Sequence, residues 1–383
     1  AKTTKLVTQW NISAISYNVA NNAAFEGSYM EDWLNDISVD GFLGNLREPE
    51  KFIVMDAKWY ITADEDKSGN IQKPPETPNI TDPVGLLNMY EYQSSYHGTN
   101  YSKGYLNNDL SWWTLTPYSA SYVWGVAYDG MWFNGYTDYA NGVRPSINLK
   151  SSVKIVDGAG TIDDPYRLNG DNDTNLSGTK LLSRYSGEYI QFGNDENNLY
   201  RIVSHENGIG TKITSTEPLK SSGAFITSSF GSNATFSSTN TIGKFLNSDY
   251  PTSYVDVEYR DMIEDETTWY LGTVDRGTSY KLAKYTDETS NALTPNSTTS
   301  KIGILRFGEL MAGQFNKDNN MDYWTLTPYA STYIWNVDKY GVAGDIRYST
   351  TLGIKPSLNL KSNVIITSGD GTKNNPFTIE LSS

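Results

Sequence analysis

The sequence predicts an α+β fold built as two tandem modules, each mostly antiparallel β with short helices. Three observations carry this. An aromatic phrase is written twice, as WWTLTPYSASYVW at 112–124 and as YWTLTPYASTYIW at 323–335. Trp113 and Trp324 stand 211 residues apart, as do Trp124 and Trp335, Arg144 and Lys355, and Pro165 and Pro376, so 111–168 aligns with 322–379 without a gap. Short alternating or apolar runs bounded by Gly, Pro, Asn and Asp recur along the chain, which is the pattern of strands joined by turns.

The elements follow from local chemistry. SYMEDWLND (28–36) reads as a helix, with Ser28 as its cap and Glu31 at the capping-box position. The segments 84–93 and 302–313 show apolar residues at i, i+3 and i+4 and also read as helices. Strands are expected at 121–127, 143–149, 152–156, 189–193, 199–204, 332–338, 354–360 and 363–367. The repeat continues upstream with small gaps: Trp59-Tyr60 pairs with Trp269-Tyr270, and Val84–Leu87 with Ile302–Leu305. The expected boundaries are 1–170 for the first module, a polar linker at 171–178, and 179–383 for the second. At this length each module can bury a core of its own.

The modules differ at their starts. Residues 187–208 read as a hairpin, with a Gly-Asn-Asp turn between two strands, and the first module has no counterpart. It is therefore expected to present unpaired strand edges. A strand from a neighbouring copy, or an upstream segment removed by processing, is the expected cover.

Composition excludes several function classes. The net charge is −14, from 30 basic and 44 acidic residues, so a nucleic-acid partner is not expected. No cysteine is present, which removes thiolate catalysis, disulfides and Cys-bound zinc. Only His97 and His205 could serve imidazole chemistry. No run reaches the ~18 apolar residues that span a membrane, and residues 1–20 do not read as a signal peptide. No phosphate-binding loop, nucleophile elbow or zinc-protease motif occurs, so no enzyme is expected. Seven N-x-[ST] sequons begin at Asn11, Asn79, Asn100, Asn172, Asn175, Asn233 and Asn296, and an Asn/Ser/Thr-rich chain produces these by chance.

The repeated phrase reads chiefly as core: Trp113, Leu115, Tyr118 and Trp124 in the first module, and Trp324, Leu326, Tyr329 and Trp335 in the second. Between matching flanks lie two segments of equal length and different letters, 125–141 and 336–352. A fixed frame carrying divergent loops is how binding surfaces are made. The candidates are Tyr128, Trp132, Phe133, Tyr136 and Tyr139 in the first segment, and Lys339, Tyr340, Asp345, Arg347 and Tyr348 in the second. Arg144 and Lys355 share a slot before a proline, and an ion pair holding the frame explains them better than a ligand does. Asp157, Asp163 and Asp164 offer hard oxygens to Ca²⁺, but the second module has Asn374 and Asn375 in place of the last two. Turn formation accounts for them better, and no cofactor is expected.

The phrases WWTLTPYS, VWGV, GVRPSINLKSSVKI and DGAGT with DPY, together with YIQFG and LYRIVS, resemble a module of uncharacterised function. That module is found in secreted, surface and prepilin-type proteins of Firmicutes. The G-[VI]-[RK]-P ending after a Trp-rich strand also resembles the C-type-lectin-like fold. Formylglycine-generating enzymes and the variable proteins of diversity-generating elements have that fold. The resemblance implies a compact frame displaying variable loops, without formylglycine chemistry, which needs cysteines. It implies an extracellular surface or pilus-like filament subunit, partnered by copies of itself and by a host or environmental surface ligand. The alternative is a secreted carbohydrate-binding protein using Trp132, Phe133 and Tyr136.

Overall fold

The structure is a computed structural model that describes residues 3–38, 40–61, 73, 75–98, 100–169, 175–206, 210–274, 297–312 and 320–382. It is mostly β with a few short helices, an α+β architecture. The first half supplies β1 (Thr4–Val7), β2 (Ser13–Ser16), β3 (Val84–Leu86), β4 (Trp112–Pro117), β5 (Tyr122–Val126), β6 (Trp132–Tyr136), β7 (Ala140–Val143), β8 (Pro145–Leu149), β9 (Ile155–Asp157) and β10 (Arg167–Leu168). The second supplies β11 (Tyr189–Gln191), β12 (Leu199–Glu206), β13 (Gly210–Ser215), β14 (Thr227–Ser229), β15 (Ile302–Ile304), β16 (Tyr323–Ala330), β17 (Tyr333–Val337), β18 (Ala343–Arg347), β19 (Thr351–Gly353), β20 (Pro356–Lys361), β21 (Val364–Ser368) and β22 (Thr378–Leu381). Short two-residue to four-residue ribbons complete the β content.

The repeat in sequence is a repeat in pairing. β4–β5–β6 form an antiparallel meander with β7 parallel to β4 and β2 beside β7. β16–β17–β18, β19 and β14 repeat this arrangement. The two meanders join where Ala343 of β18 pairs with Ala140 of β7, which gives one ten-stranded sheet across both halves. Each half has a second sheet: β1–β8–β3 in the first, and β11–β12–β13–β20–β15 in the second.

Separate cores were expected; the first is shared. Ala14, Phe25, Leu34 and Trp113 pack in one cluster with Phe307, Trp335, Val337 and Ala343 of the second half. The second cluster, around Ile202, Ile213, Trp324 and Leu358, belongs to the second half alone. The expected linker falls partly outside the described residues, at 171–174. In its described part, 175–178, Leu176 packs on the second core, and the Gly178 amide donates to the Ile366 carbonyl.

Two expected helices begin as strands. Val84–Leu86 and Ile302–Ile304 pair with the buried strands β8 and β20. Helical conformation follows only at α2 (Met89–Gln93) and at the 3-10 turn Phe307–Ala312. The repeated threonines explain where they start. The Met89 amide donates to Thr116 Oγ1 at 2.9 Å, and the Phe307 amide to Thr327 Oγ1 at 3.0 Å. Each hydroxyl satisfies a backbone donor that a helix end leaves without a partner. Thr114 and Thr325 bridge to the next strand through the carbonyls of Trp124 and Trp335. The phrase therefore has no polar outer face: Trp112, Trp113, Thr114, Leu115 and Thr116 are all buried. The helix predicted at 28–36 is α1 (Tyr29–Asn35). Ser28 accepts from the Glu31 amide, while the Glu31 carboxylate reaches back to Gly27.

Candidate functional site

The outer end of the first meander exposes aromatic rings. β4 ends at Pro117, which cannot donate to the ladder, and Tyr118 follows outside it. Tyr122 opens β5 and Tyr136 closes β6, and the two are cross-strand partners. Their rings lie 4.0 Å apart at 37°. Tyr139 meets Tyr136 at 5.7 Å and 66°, and Tyr118 meets Tyr122 at 6.2 Å and 83°. Tyr118, Tyr136 and Tyr139 are exposed and Tyr122 is half-buried. The patch is fixed from beneath, because Tyr118 rests edge-on against Trp124 at 4.9 Å. The hydrogen bond with the Tyr136 hydroxyl, followed by burial, pushes the Tyr122 hydroxyl up to about 12.

Several expectations are corrected here. Tyr118 is not core: it stands at the outer end of the β4–β5 hairpin, its amide donating to the Tyr122 carbonyl at 2.8 Å, and it is 36% exposed. Tyr122 was not nominated; its place opposite Tyr136 in the hairpin was the available signal. Trp113, Leu115, Trp124, Trp324, Leu326 and Trp335 are buried, and Tyr329 is half-buried against Trp335. Trp132 and Phe133 do not form a platform. Trp132 packs against the cluster of Tyr92 and Trp112, and Phe133 lies over Gly125, where an added Cβ would sit 2.4 Å from its ring.

Tyr128 and Tyr340 come from the two divergent segments and stack on each other, 3.9 Å apart and 20° from parallel. Lys339 lies over the Tyr340 ring, and with Asp109 and Asn320 these residues line an open recess of about 450 Å³. The main chain ties the same place together, because the Ser111 amide donates to the Tyr340 carbonyl at 2.8 Å. This corner is a contact between the halves. In the second meander Arg347 takes the slot of Tyr136 and reaches over Tyr333 at 5.9 Å. Asp345 lies on β18 opposite Trp335, and Tyr348 packs on the second core. The second half thus has no matching patch of tyrosines.

The paired cations are interior. Arg144 is buried, donates to the carbonyls of Thr8 and Leu106, and lies 4.8 Å over the Trp112 ring. Burial lowers its pKa to about 10. Lys355 lies 4.6 Å over Tyr323, and its ammonium has no hydrogen-bond partner among the described residues. Burial, then the nearby Arg201 charge, lowers it to about 7. Carbonyls and rings hold these cations, not the carboxylates expected.

Of the acidic residues, Asp157 accepts from the Gly158 amide and Asp164 from the Ala159 amide, which stabilises a turn. Asp163 accepts from Asn374 across the halves at 3.0 Å. Among the described residues no group of three or more His, Asp or Glu is placed to hold a metal. Glu31 and Asp82 form a carboxyl pair. Burial first, and then Asp82, raises Glu31 to about 7, and burial also raises Asp82. Two carboxyl groups this close share a proton. Gly243 and Ser300 stand at the matching places of the second half, so the pair is not part of the repeat.

The comparisons place part of this chain. Residues 2–151 match the family described as Domain of unknown function (DUF6273). The DUF6273 match runs from β1 to the end of β8 and so contains the tyrosine patch and the Glu31–Asp82 pair. No curated protein and no solved structure matches the chain.

Proposed function

We propose that the chain is a non-enzymatic extracellular display protein, two tandem C-type-lectin-like modules in architecture. It adheres to a protein surface through Tyr118, Tyr122, Tyr136 and Tyr139. The exposed tyrosine patch on a rigid sheet carries the reading. Tyrosine offers a large contact area that costs little conformational entropy to fix, with a hydroxyl for adaptable hydrogen bonding. Three of the rings remain open to solvent, at 36%, 42% and 44%, and such exposure of clustered rings marks an interaction surface. The resemblance to modules of bacterial surface and prepilin-type proteins supports the location.

A carbohydrate platform is the weaker reading. A sugar chain lies on rings that share a plane, and these rings are tilted by 37°, 66° and 83° to their neighbours. Of the residues expected to build that platform, Trp132 and Phe133 are half-buried and pack on two different clusters. The test is to apply the chain to printed arrays of extracellular-matrix proteins and of glycans. Protein hits without glycan hits support the proposal. Glycan hits that disappear in Tyr136→Ala favour the platform.

A further inference from the structure

The second half of the chain shows what an exposed face of the first half is built to receive. β1 pairs with β8 in the register that β13 adopts on β20: Leu6 faces Ile147, and Ile213 faces Leu358 at the matching position. β9–β10 and β21–β22 also share a register, with Ile155 opposite Leu168 and Ile366 opposite Ile379. The backbones agree, yet the burial does not. Leu6, Ile155 and Tyr166 are 40%, 57% and 53% exposed, while their counterparts Ile213, Ile366 and Phe377 are all 0% exposed. The same contrast holds one layer deeper. Lys212 and Glu309 form an ion pair whose side chains are 3% and 0% exposed, and the matching pair, Lys5 and Glu91, is 29% and 28% exposed. Each lysine also lies over the matching tryptophan, Trp269 or Trp59.

The difference is the β11–β12 hairpin. Ile202 of β12 pairs with Ile213, and β11 exchanges main-chain hydrogen bonds with Phe377, the Gln191 amide donating to the Phe377 carbonyl and the Phe377 amide to the Tyr189 carbonyl. Ile190, Phe192, Tyr200 and Ile202 lie beneath it, fully buried. On the first half the outer edge of β1 has no strand beside it among the described residues.

We propose that the face formed by Leu6, Ile155 and Tyr166, with the free edge of β1, is the seat of a β-hairpin from a partner polypeptide. The hairpin carries the inward pattern of β11–β12: two apolar residues spaced like Ile190 and Phe192 on its outer strand, and an aromatic and an aliphatic residue spaced like Tyr200 and Ile202 on the strand that joins β1. It adds backbone hydrogen bonds along β1, removes the apolar side chains from water and closes over the Lys5–Glu91 pair. The molecule's own hairpin is not the occupant, because it is engaged on β13.

The test adds a synthetic peptide of residues 187–206 to the 383-residue chain. The expected result is saturable binding of one peptide per chain, with slowed hydrogen exchange at the Lys5 and Val7 amides, which face away from β8. Leu6→Asp and, on a different strand, Tyr166→Asp each weaken binding by about tenfold or more. Both sites are solvent-exposed, and near-UV circular dichroism establishes that the variants remain folded. Absence of binding overturns the proposal, as does binding indifferent to both substitutions. Concentration-dependent protection of β1 without peptide, lost in Leu6→Asp, would make a second copy of this chain the occupant and overturn it equally.

Discussion

Lys355 is a buried cation that opposes folding at neutral pH. Its side chain is 2% exposed, its ammonium lies over the face of Tyr323, and the Glu217 charge offsets a smaller part of the cost. Burial takes its pKa from 10.5 to about 7. At about 1.4 kcal/mol for each tenfold change in proton affinity, that difference corresponds to on the order of 5 kcal/mol. The ring and local relaxation return part of it, leaving roughly 2–3 kcal/mol. The sign follows from proton binding. Above pH 10.5 the amine is neutral in both states. As pH falls toward 7 the unfolded chain takes up the proton first, so stability falls through that window and is level below it. Lys355→Met keeps the unbranched shape and removes the charge. It should therefore stabilise the protein by roughly 2–3 kcal/mol at pH 6, with the advantage shrinking as pH rises from 7 to 10. Urea unfolding followed by tryptophan fluorescence, at several pH values, measures this directly. A Met variant no more stable than the parent at pH 6, or an advantage that does not change with pH, refutes the reasoning.

Other substitutions test other links. Glu31 is raised to about 7, so the folded state holds its proton while the unfolded state loses it, and stability falls as pH rises from 4.5 to 7. Glu31→Gln should flatten that fall, seen as a weaker dependence of the melting temperature on pH across the window, the remainder belonging to Asp82. Thr116→Val removes the acceptor of the Met89 amide and should cost about 1–2 kcal/mol in urea unfolding, with loss of helical signal at α2. Gly158 has φ +89°, and an added Cβ would lie 2.1 Å from the Pro165 carbonyl oxygen. Gly158→Ala should therefore cost about 1–3 kcal/mol, and proteolysis at the β9–β10 loop should report it. The matching Gly369 has φ +91° and should respond alike.

How much was legible depended on whether the signal was local. The repeat showed that the two halves share one arrangement, because Trp113, Trp324 and their neighbours recur at one spacing. The helix at 28–36 was legible from Ser28 and Glu31. Val84–Leu87 misled because a short apolar run fits a buried strand and a helix equally well, and only the flanking strand decides. Tyr118 misled because it belongs to a repeated aromatic phrase, yet it lies at the end of the hairpin, where a large ring is left in solvent. Trp132 and Phe133 looked like exposed rings in a divergent loop, yet Gly125 leaves room for Phe133 to fold inward. The Tyr128–Tyr340 stack and the shared first core arise from contacts about two hundred residues apart, and no local pattern encodes such a contact. That residues 1–170 carry no counterpart of the 187–206 phrase was legible in the letters. Its consequence for Leu6, Ile155 and Tyr166 needed the two halves in three dimensions.

The claim that the tyrosine patch is the contact surface is tested most directly by one comparison. Wild type and the double variant Tyr122→Ser, Tyr136→Ala are applied side by side to the same array of extracellular-matrix proteins, after matched melting temperatures establish equal folding. The account predicts protein hits for wild type that disappear in the double variant. Hits of equal strength for both would contradict it and move the contact surface away from the patch.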